Sequence, residues 1–335
     1  MTAISAAAVT PAVLVSVVVP TCNRVHLLVR CIDALLDQTL LPCEYEIIIV
    51  DDAPGYHARQ LATMWSARSA ARGLSLRYVP NHGVRGPAAA RNLGWRLARG
   101  AIVAFTADDS IPMPSWLSEG LAVINDRTDV ACGRVEIPVP PRPTDYQRDS
   151  SRAEASEFAA SNCFIRRSVL AVLGGFDERF RRPWREDSDL YFRLLDLGAN
   201  IVRAPRAMVI KPVRPAPWGV SLVQARKIAF DALLYKKHPR HYREKIRATP
   251  RWDYYAIVAA LTLALAGMLA GVPAMAAFGT VIWLGMTLSL CVQRLRGTSR
   301  KASHIAEMIL TSALIPPLAV FWRLAGAIRF RVRFA

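Results

Sequence analysis

The chain has 335 residues, a formal net charge of +17, a mean hydropathy of +0.21 and 53% hydrophobic residues. This length suits one large domain or two modest ones, and the apolar fraction is high for a purely soluble enzyme. From Asp231 onward, 15 Lys and Arg residues stand against 4 Asp and Glu, which places +11 of the charge there. Basic residues beside apolar segments indicate a membrane surface, and without interleaved aromatic residues we expect no nucleic-acid partner.

The six cysteines form no Cys-x-x-Cys pair, and Cys291 lies within an apolar segment. This disfavours a cysteine metal cluster or a disulfide framework and fits a reducing cytoplasmic setting better. Residues 1–11 lack the basic flank and the long apolar core of a signal peptide. We therefore expect the N-terminal domain to remain in the compartment where it is made.

Short β-branched runs alternate with helical patterns along the first third of the chain. Strands are predicted at 14–19, 46–50, 74–79 and 101–105, and helices at 25–38, 57–72 and 87–99. This alternation predicts βαβ units and a mostly parallel sheet that is covered on both faces. Ligands of such sheets bind at the carboxyl ends of the strands.

The second half of the chain is less regular. Residues 138–152 are rich in proline at their start, and we interpret them as a loop. Ordered chain resumes near Phe158, and a helix is predicted to begin around Glu186. Residues 219–237 have the pattern of an amphipathic helix that leads to the membrane.

Acidic pairs follow two of the predicted strands, Asp51-Asp52 and Asp108-Asp109. Adjacent carboxylates repel each other and persist most easily where a cation neutralises them. Oxygen ligands on a loop suit Mg²⁺ or Mn²⁺ that is shared with substrate phosphates. The alternative for the second pair is a helix N-cap, where Asp is favoured in any case.

Two further segments have both a functional and a structural interpretation. Residues 81–92 form a glycine-containing loop that runs into a helix, where Arg91 could contact phosphate or base, or could be a solvated arginine. Residues 184–190 place three carboxylates at a helix start, either as catalytic groups or as simple capping. Trp184 is either a sugar platform or a core side chain on the face that it would share with Tyr191.

Six motifs follow one another along residues 14–215. They are Val15-Ser-Val-Val-Val-Pro-Thr-Cys-Asn-Arg24, Ile49-Val-Asp-Asp-Ala53, Gly86-Pro-Ala-Ala-Ala-Arg-Asn92, Thr106-Ala-Asp-Asp-Ser110, Gly174-Gly-Phe-Asp-Glu178 and Glu186-Asp-Ser-Asp-Leu190. Each is weak alone, but the ordered set resembles the inverting family 2 glycosyltransferases of the bacterial membrane-anchored type. The resemblance implies an α/β fold of the GT-A (Rossmann-like) class that binds a nucleotide sugar.

The resemblance also implies roles for individual residues. Asp187 would be the general base, Glu186 would contact acceptor or donor sugar, Trp184 would contact the acceptor, and Asp109 would bind a divalent metal, Mg²⁺ or Mn²⁺. The implied donor-binding residues are Pro20, Thr21, Asn23, Asp51, Asp52, Arg91 and Asp108.

The chain departs from the family pattern at three places. Ala53-Pro54 stands where the family usually has Gly-Ser, and Ala107 stands where many members carry a further Asp. Lys211 occupies the place of a metal-ligating His, and a charged Lys cannot ligate a cation. Either the metal is held by Asp109, diphosphate and water, or Lys211 itself contacts the diphosphate.

Two apolar segments, 254–271 and 274–292, are long enough to cross a bilayer core and are separated by Gly271-Val-Pro273. Basic residues on both flanks predict a transmembrane hairpin with both ends on the cytoplasmic side. A buried hairpin of a soluble protein is the alternative. Residues 305–321 are predicted to form an interfacial or re-entrant helix, because a third crossing would export the arginine-rich tail.

The predicted domains are a catalytic domain at 1–235, a basic juxtamembrane segment at 236–253, the hairpin at 254–292 and a basic interfacial region at 293–335. We expect a glycosyltransferase of the cytoplasmic (inner) membrane, with its catalytic domain on the cytoplasmic side. Its partners would be a nucleotide-diphosphate sugar, a lipid-linked or membrane-associated acceptor and anionic lipids. A non-catalytic scaffold is one alternative, and a processive synthase is disfavoured by the absence of Gln-x-x-Arg-Trp.

Overall fold

The computed structural model describes residues 13–334, so residues 1–11, for which no signal peptide is predicted, lie outside the described part. The chain divides into two compact units. The first comprises the chain up to Glu136 together with Glu154–Pro212, and the second comprises Ile137–Ala153 together with the chain from Val213 onward. The functional domain limits expected at residues 235, 253 and 292 stay predictions.

The first unit is built on one eight-stranded sheet with the strand order β3-β2-β1-β4-β7-β6-β8-β5. Its strands are β1 Val15–Thr21, β2 Tyr45–Asp51, β3 Ser75–Pro80, β4 Ile102–Thr106, β5 Ile111–Pro112, β6 Val130–Glu136, β7 Asn162–Arg166 and β8 Ile201–Ile210.

The first unit also contains six α-helices and one 3₁₀ turn. They are α1 Val25–Leu36, the 3₁₀ turn Pro42–Glu44, α2 Tyr56–Ala70, α3 Pro87–Arg96, α4 Trp116–Ala122, α6 Arg167–Leu173 and α7 Glu186–Asp196.

All regular elements in the described part of the second unit are helices or helical turns. Its elements are α5 Asp145–Ser151, α8 Val220–Gln224, the 3₁₀ turn Ala225–Ile228, α9 Ala229–Lys237, α10 Pro239–His241, the π-helical turn Tyr242–Ile246, α11 Trp252–Leu269, α12 Pro273–Leu295 and α13 Ala302–Phe330. A further 3₁₀ turn, Arg152–Ala155, spans the boundary of the two units.

The predicted βαβ half is confirmed, since β3, β2, β1 and β4 are all parallel neighbours. The other half is mixed. Strand β7 inserts between β4 and β6 and runs antiparallel to both, whereas β6 and β8 are parallel and β5 and β8 antiparallel. The sheet therefore belongs to the Rossmann-like α/β class, with antiparallel strands added beyond β4.

Helix α3 packs directly on the centre of the sheet. A Cβ added at Gly94 would lie 2.3 Å from Cγ1 of Val18 and 3.2 Å from Cγ2 of Val50. Strands β1, β2 and β4 are buried along their whole length, as expected for a sheet covered on both faces. This packing fixes the start of α3 relative to the carboxyl ends of β1 and β2.

The amino end of the sheet holds a buried carboxylate that is fully paired. Glu46 accepts hydrogen bonds from Ser16 Oγ at 2.6 Å, from the Arg99 backbone N–H at 2.7 Å and from Arg77 Nη2 at 3.0 Å. Burial acts to raise the pKa of Glu46, but the hydrogen bonds from Ser16 and Arg99 and the two guanidinium groups lower it below its ordinary value. This group is structural, since it lies at the edge opposite to the strand ends that bind ligands.

The interpretation of residues 138–152 as a loop is wrong in part, because they contain helix α5. Thr144 caps this helix, accepting a hydrogen bond from the Gln147 backbone N–H at 3.2 Å, and Gln147 Oε1 accepts one from the Thr144 N–H at 2.8 Å. This reciprocal capping box satisfies two helix-end donors and starts a helix directly after the prolines.

Within the second unit, residues Ile137–Ala153 form a strap on the end of α12. Asp145 Oδ2 accepts from Arg294 Nη2 at 2.8 Å, and the same guanidinium donates through Nη1 to Thr311 Oγ1 at 2.8 Å. Arg148 donates to the backbone carbonyls of Arg294 and Arg296 at 3.1 and 2.6 Å. The strap thus closes the open C-terminal end of α12 with charge-assisted hydrogen bonds.

Helices α11, α12 and α13 are each long and apolar enough to cross a membrane, by length and composition. The first two form the predicted hairpin and pack closely: an added Cβ at Gly279 would lie 2.5 Å from the Ala264 nitrogen. Helix α13 has 29 residues and continues through Pro316 and Pro317, so it is longer than the helix predicted at 305–321.

Candidate active site

The carboxyl ends of β1, β2 and β4 meet at one edge of the sheet, and their side chains form one network. Thr21 and Asp51, the last residues of β1 and β2, are register partners, and the Asp52 N–H donates to the Thr21 carbonyl at 2.8 Å. Thr21 Oγ1 donates to Asp108 Oδ2 at 2.8 Å across 87 residues of sequence. The first, second and fourth motifs are therefore joined by direct hydrogen bonds.

Asp108 is almost fully buried and has an oriented carboxylate. Its Oδ2 atom accepts from Thr21 and lies 3.0 Å from Nε of Arg24. Arg24 is about one third exposed, so its charge faces both Asp108 and the space at the strand ends. These contacts hold Asp108 in place beneath the loop and leave its neighbour Asp109 as the outer carboxylate of the pair.

Asp51 and Asp52 are both held by hydrogen bonds. Asp51 Oδ2 accepts from the Tyr78 hydroxyl at 2.7 Å, and burial together with this hydrogen bond raises the pKa of Tyr78. Asp52 accepts from Asn81 Nδ2 at 2.7 Å and from the Gly86 N–H at 2.8 Å. Gly86 has φ +135, and an added Cβ would lie 3.1 Å from the Arg181 backbone, so this position requires glycine.

Asp109 is paired with the lysine that departs from the family pattern. Lys211, directly after β8, places Nζ 3.4 Å from Asp109 Oδ1, and the carboxylate is almost fully buried while the lysine is 30% exposed. In the described part of the chain, no group of three His, Cys, Asp or Glu side chains could hold a metal ion. A single buried carboxylate could bind Mg²⁺ or Mn²⁺ only if substrate phosphates and water supplied the remaining ligands.

The Ser110 hydroxyl lies beside this pair, is fully buried and has no hydrogen-bond partner within residues 13–334. Buried hydroxyl groups normally have a partner. Its position directly after Asp109 is consistent with a ligand or water at this end of the sheet.

The start of α7 carries the second acidic cluster. Glu186 Oε1 lies 3.2 Å from Nη1 of Arg91 on α3, and both side chains are more than nine-tenths buried. Burial, followed by the charge of Asp187, raises the pKa of Glu186 to about 7, while Arg91 acts to lower it. Arg91 also lies over the Phe176 ring, 5.3 Å from its centre.

Asp187 is half-buried, and its Oδ1 atom accepts from the Ser188 N–H at 2.7 Å. Asp189 is fully buried and bonded to Arg193 Nε at 2.9 Å, which makes it a structural residue of α7. Among the three carboxylates of this first turn, Asp187 is the one that is not buried.

The fifth motif supports Arg91 and its neighbours. The Asn92 side-chain amide makes two hydrogen bonds with the backbone of Phe176. Its Oδ1 atom accepts from the Phe176 N–H and its Nδ2 atom donates to the Phe176 carbonyl, each at 2.8 Å. Gly175 has φ +77, and an added Cβ would lie 2.3 Å from Asn92 Oδ1. The Gly174-Gly-Phe-Asp-Glu178 turn is thereby fixed against α3, below the Arg91–Glu186 pair.

The remaining predicted residues occupy the same edge with fewer contacts. Pro20 is buried at the end of β1, whereas Asn23 is exposed and has φ +52. Trp184 precedes α7 rather than lying on its buried face, because the helix begins at Glu186; its half-buried ring lies 4.6 Å from the Arg185 guanidinium. The shared face with Tyr191 that the sequence suggested is therefore wrong.

Three residues of the site carry no predicted role, namely Arg24, Tyr78 and Asn81. Arg24 and Asn81 lie inside segments that the sequence singled out, so their polar character next to the strand ends was a usable signal. Tyr78 gives no such signal, because only the pairing of β3 with β2 brings its hydroxyl to Asp51.

Two family models match the chain. Residues 16–176 match "Glycosyl transferase family 2", and residues 145–325, more than half of the chain, match "Glycosyl transferase family group 2". The chain belongs to glycosyltransferase family 2. This membership confirms the resemblance carried by the six motifs and makes the protein a glycosyltransferase.

Curated relatives support this membership of family 2. The chain is 26% identical over 213 residues to glycosyltransferase AglE of Haloferax volcanii, covering 60% of this chain and 67% of AglE. It is 34% identical over 111 residues to validoxylamine A glucosyltransferase of Streptomyces hygroscopicus subsp. limoneus, covering 32% of this chain but only 23% of that enzyme.

Solved structures share the fold of this family 2 chain. The mannosyltransferase PcManGT from Pyrobaculum calidifontis, in complex with GDP-Man and Mn²⁺, has a TM-score of 0.59 at 19% identity and covers 92% of this chain and 86% of its own. TarS of S. aureus has a TM-score of 0.51 at 18% identity, covering 95% of this chain and 54% of its own. Both likenesses confirm the GT-A fold class.

Proposed function

We propose that this family 2 enzyme transfers a sugar from a nucleotide-diphosphate donor to a membrane-associated acceptor with inversion at the anomeric carbon. The observation that carries the proposal is the hydrogen-bonded network at the strand ends, which links Thr21, Asp52, Asp108 and their partners into one polar site. The donor recorded with PcManGT, GDP-Man with Mn²⁺, supports a nucleotide sugar and a divalent metal for this chain as well.

In this proposal the donor lies across the ends of β1, β2 and β4. Asp51 and Asp52, held by Tyr78 and Asn81, accept hydrogen bonds from the base and ribose. Pro20 and Thr21 at the end of β1 and Asn23 just after it lie below the nucleotide, and Asp108 keeps this part of the chain in position through Thr21. The base and ribose of the donor carry no charge but have N–H and O–H donors. The oriented carboxylates of Asp51 and Asp52 can accept hydrogen bonds from them.

The diphosphate lies between Asp109, Lys211 and Arg24. Asp109 would hold Mg²⁺ or Mn²⁺, which would supply positive charge for the leaving nucleoside diphosphate. Lys211 supplies a second, permanent charge at the same place, since its Nζ atom is 3.4 Å from Asp109. Both charges stabilise the negative charge that develops as the sugar–phosphate bond breaks.

Asp187 takes the proton from the acceptor hydroxyl as its oxygen attacks the anomeric carbon. The bond from that carbon to the diphosphate oxygen breaks at the same time, so one displacement inverts the centre. Trp184, just before α7, contacts the acceptor sugar. Arg91 holds Glu186 beside the general base Asp187. We propose that Arg91 acts through Glu186 rather than by direct contact with the nucleotide.

The acceptor proposed is a lipid-linked sugar, a glycolipid or a polysaccharide precursor at the cytoplasmic face of the inner membrane. The two apolar helices α11 and α12 and the basic residues on both of their flanks support this location. Anionic lipids would bind the basic flanks.

A panel of nucleotide sugars with the full-length protein in lipid nanodiscs tests the proposal. We expect one donor to raise the melting temperature by mass action and to release nucleoside diphosphate when lipid-linked acceptor is added. The anomeric configuration of the product, read by NMR, must be opposite to that of the donor. Retention of configuration, or the absence of transfer from every donor, would contradict the proposal, and long polymer products would indicate a processive synthase instead.

A further inference from the structure

Helix α13 has two faces of different character. One face is buried against the second unit and carries Met308, Thr311, Ser312, Ala319, Arg323 and Gly326. The other face exposes an apolar stripe with exposed fractions between 40% and 78%, formed by Leu310, Leu314, Phe321, Leu324 and Ile328. The exposed face of this helix is thus largely apolar, whereas Thr311, Ser312 and Arg323 place polar side chains on the buried face.

Both ends of α13 are bonded to one segment that precedes the apolar hairpin, Gly219–Lys237. The Gly219 N–H donates to Glu307 Oε1 at 2.8 Å, and Lys236 Nζ donates to the Phe330 carbonyl at 2.8 Å. Between these points, an added Cβ at Gly326 would lie 2.5 Å from the Ala229 carbonyl oxygen. Helix α13 therefore runs beside this segment from near its first turn to its last.

Thr311, about one third of the way along α13, lies level with the end of α12. Arg294, in the last turn of α12, donates to Thr311 Oγ1 at 2.8 Å and to Ser312 Oγ at 3.0 Å. Thr311 is nine residues into α13, about 14 Å along the helix. A third crossing that started at Ala302 would carry Thr311 roughly halfway through the hydrocarbon core, whereas here it meets the terminal turn of α12 and the polar strap.

The composition of the neighbouring segment leads to the same conclusion. Gly219–Lys237 contains Arg226, Lys227 and Asp231, and Arg226 is exposed. If α13 crossed the bilayer, this segment would have to cross beside it, with charged side chains in the hydrocarbon core. Such side chains are costly there and are rare outside water-filled cavities.

We propose that α13 and Gly219–Lys237 form a helical platform that lies in the interface of one leaflet, and that α13 is not a third membrane crossing. Its occupant is the headgroup–acyl boundary of an anionic bilayer, with the apolar stripe facing the acyl chains. Arg300, Lys301, Arg329, Arg331 and Arg333 flank the stripe at both ends and match anionic headgroups. This inference rests on the proposed membrane attachment and is independent of the reaction.

Depth measurements on the full chain in nanodiscs test the platform. Leu314→Cys, Phe321→Cys and Ile328→Cys are labelled one at a time with a fluorophore, with the exposed Cys22 and Cys43 replaced by Ser. Lipids brominated at different depths then report the position of each probe. Leu284→Cys on α12 is the deep reference, and Val292→Cys, near the end of that helix, is the shallow one.

The platform requires all three α13 probes to be quenched at the shallow depth of the Val292 probe. A crossing would instead spread Leu314 and Ile328 over about 21 Å of depth, and that graded result would overturn the platform. Reporters fused after Phe230 and after the C-terminus must also report the same side of the membrane, and opposite sides would overturn it. If even the Leu284 probe escapes quenching, the membrane attachment fails and the platform fails with it.

Discussion

Arg91 and Glu186, 95 residues apart in sequence, form an ion pair of 3.2 Å in which both side chains are more than nine-tenths buried. The pair joins the helix that follows the glycine-containing loop to the helix that carries the proposed base. The charge of Asp187, in the same turn, acts on Glu186 in the opposite sense to that of Arg91.

The first prediction concerns stability and pH at Glu186. Its pKa is raised from 4.5 to about 7 in the folded protein, so the folded state binds its proton more tightly than the unfolded state. The resulting stabilisation is full below pH 4.5 and is lost as pH rises through 7. The stability of the wild type relative to Glu186→Gln should therefore fall by about 3 kcal/mol between pH 4.5 and 8.

Denaturant unfolding of the two proteins across this pH range measures the difference, and Glu119→Gln on α4 is the control.

Arg91→Met should move the titration midpoint of Glu186 to higher pH, since the cation that lowers its pKa is gone. It should also reduce turnover by up to about 100-fold through displacement of the first turn of α7, with nucleotide affinity unchanged. Loss of nucleotide affinity would instead assign Arg91 to the donor site.

Asp187→Asn should lower turnover by roughly 100- to 10,000-fold, because the amide keeps the shape of the side chain but cannot accept a proton. Nucleotide binding, measured by calorimetry, should be retained. Asp196→Asn, at the exposed end of the same helix, should leave both quantities unchanged. Near-normal turnover in Asp187→Asn would exclude Asp187 as the base and direct attention to Glu186.

Lys211 and a metal are expected to share the task of neutralising the diphosphate. Asp109→Ala should weaken both donor binding and turnover, and Lys211→Met should lower turnover in chelator by roughly 100-fold relative to the wild type. Arg206→Met is the control, because Arg206 is exposed on β8, the strand that ends just before Lys211. Titration of Mg²⁺ and Mn²⁺ measures the requirement, and a wild type that is wholly inactive in chelator would show that Lys211 cannot replace the metal.

Arg294→Met should destabilise the protein by about 2 kcal/mol, since Asp145 would lose this partner and keep only its ion pair with Arg148. Arg296→Met is a matched control, because Arg296 accepts from the strap through its backbone carbonyl, which the substitution keeps. Unfolding in mild detergent gives the free-energy difference, and limited proteolysis of residues 137–153 should become faster only in Arg294→Met. Equal behaviour of the two variants would mean that the strap does not depend on this ion pair.

The parallel half of the fold and most of the site were predictable from the sequence. Local signals sufficed there, because β-branched runs end in polar residues and each parallel strand delivers those residues to the same edge. The antiparallel insertion of β7 was not predictable, since its place between β4 and β6 depends on partners 30 or more residues away. The contact between Lys211 and Asp109 likewise depends on the pairing of β8 with β5, about 100 residues apart in sequence.

The helix in the strap escaped prediction for a different reason. The run of prolines before Thr144 obscured a capping box that the sequence does contain, Thr144 with Gln147. The length of α13 was underestimated because Pro316 and Pro317 suggest a break. Contacts along its whole buried face keep the helix continuous through both prolines.

The strap also limits how this protein can be recombined with its relatives. Neither compact unit is one uninterrupted stretch of chain, since Ile137–Ala153 belongs with helices encoded more than a hundred codons later. A chimaera that joins this chain's first 212 residues to the membrane helices of another family 2 enzyme would bring a strap without the arginine and carbonyl groups that hold it. Exchange of the helices should succeed only when residues 137–153 are exchanged with them. The coding regions for residues 137–153 and for the chain from residue 213 are therefore expected to change together in evolution.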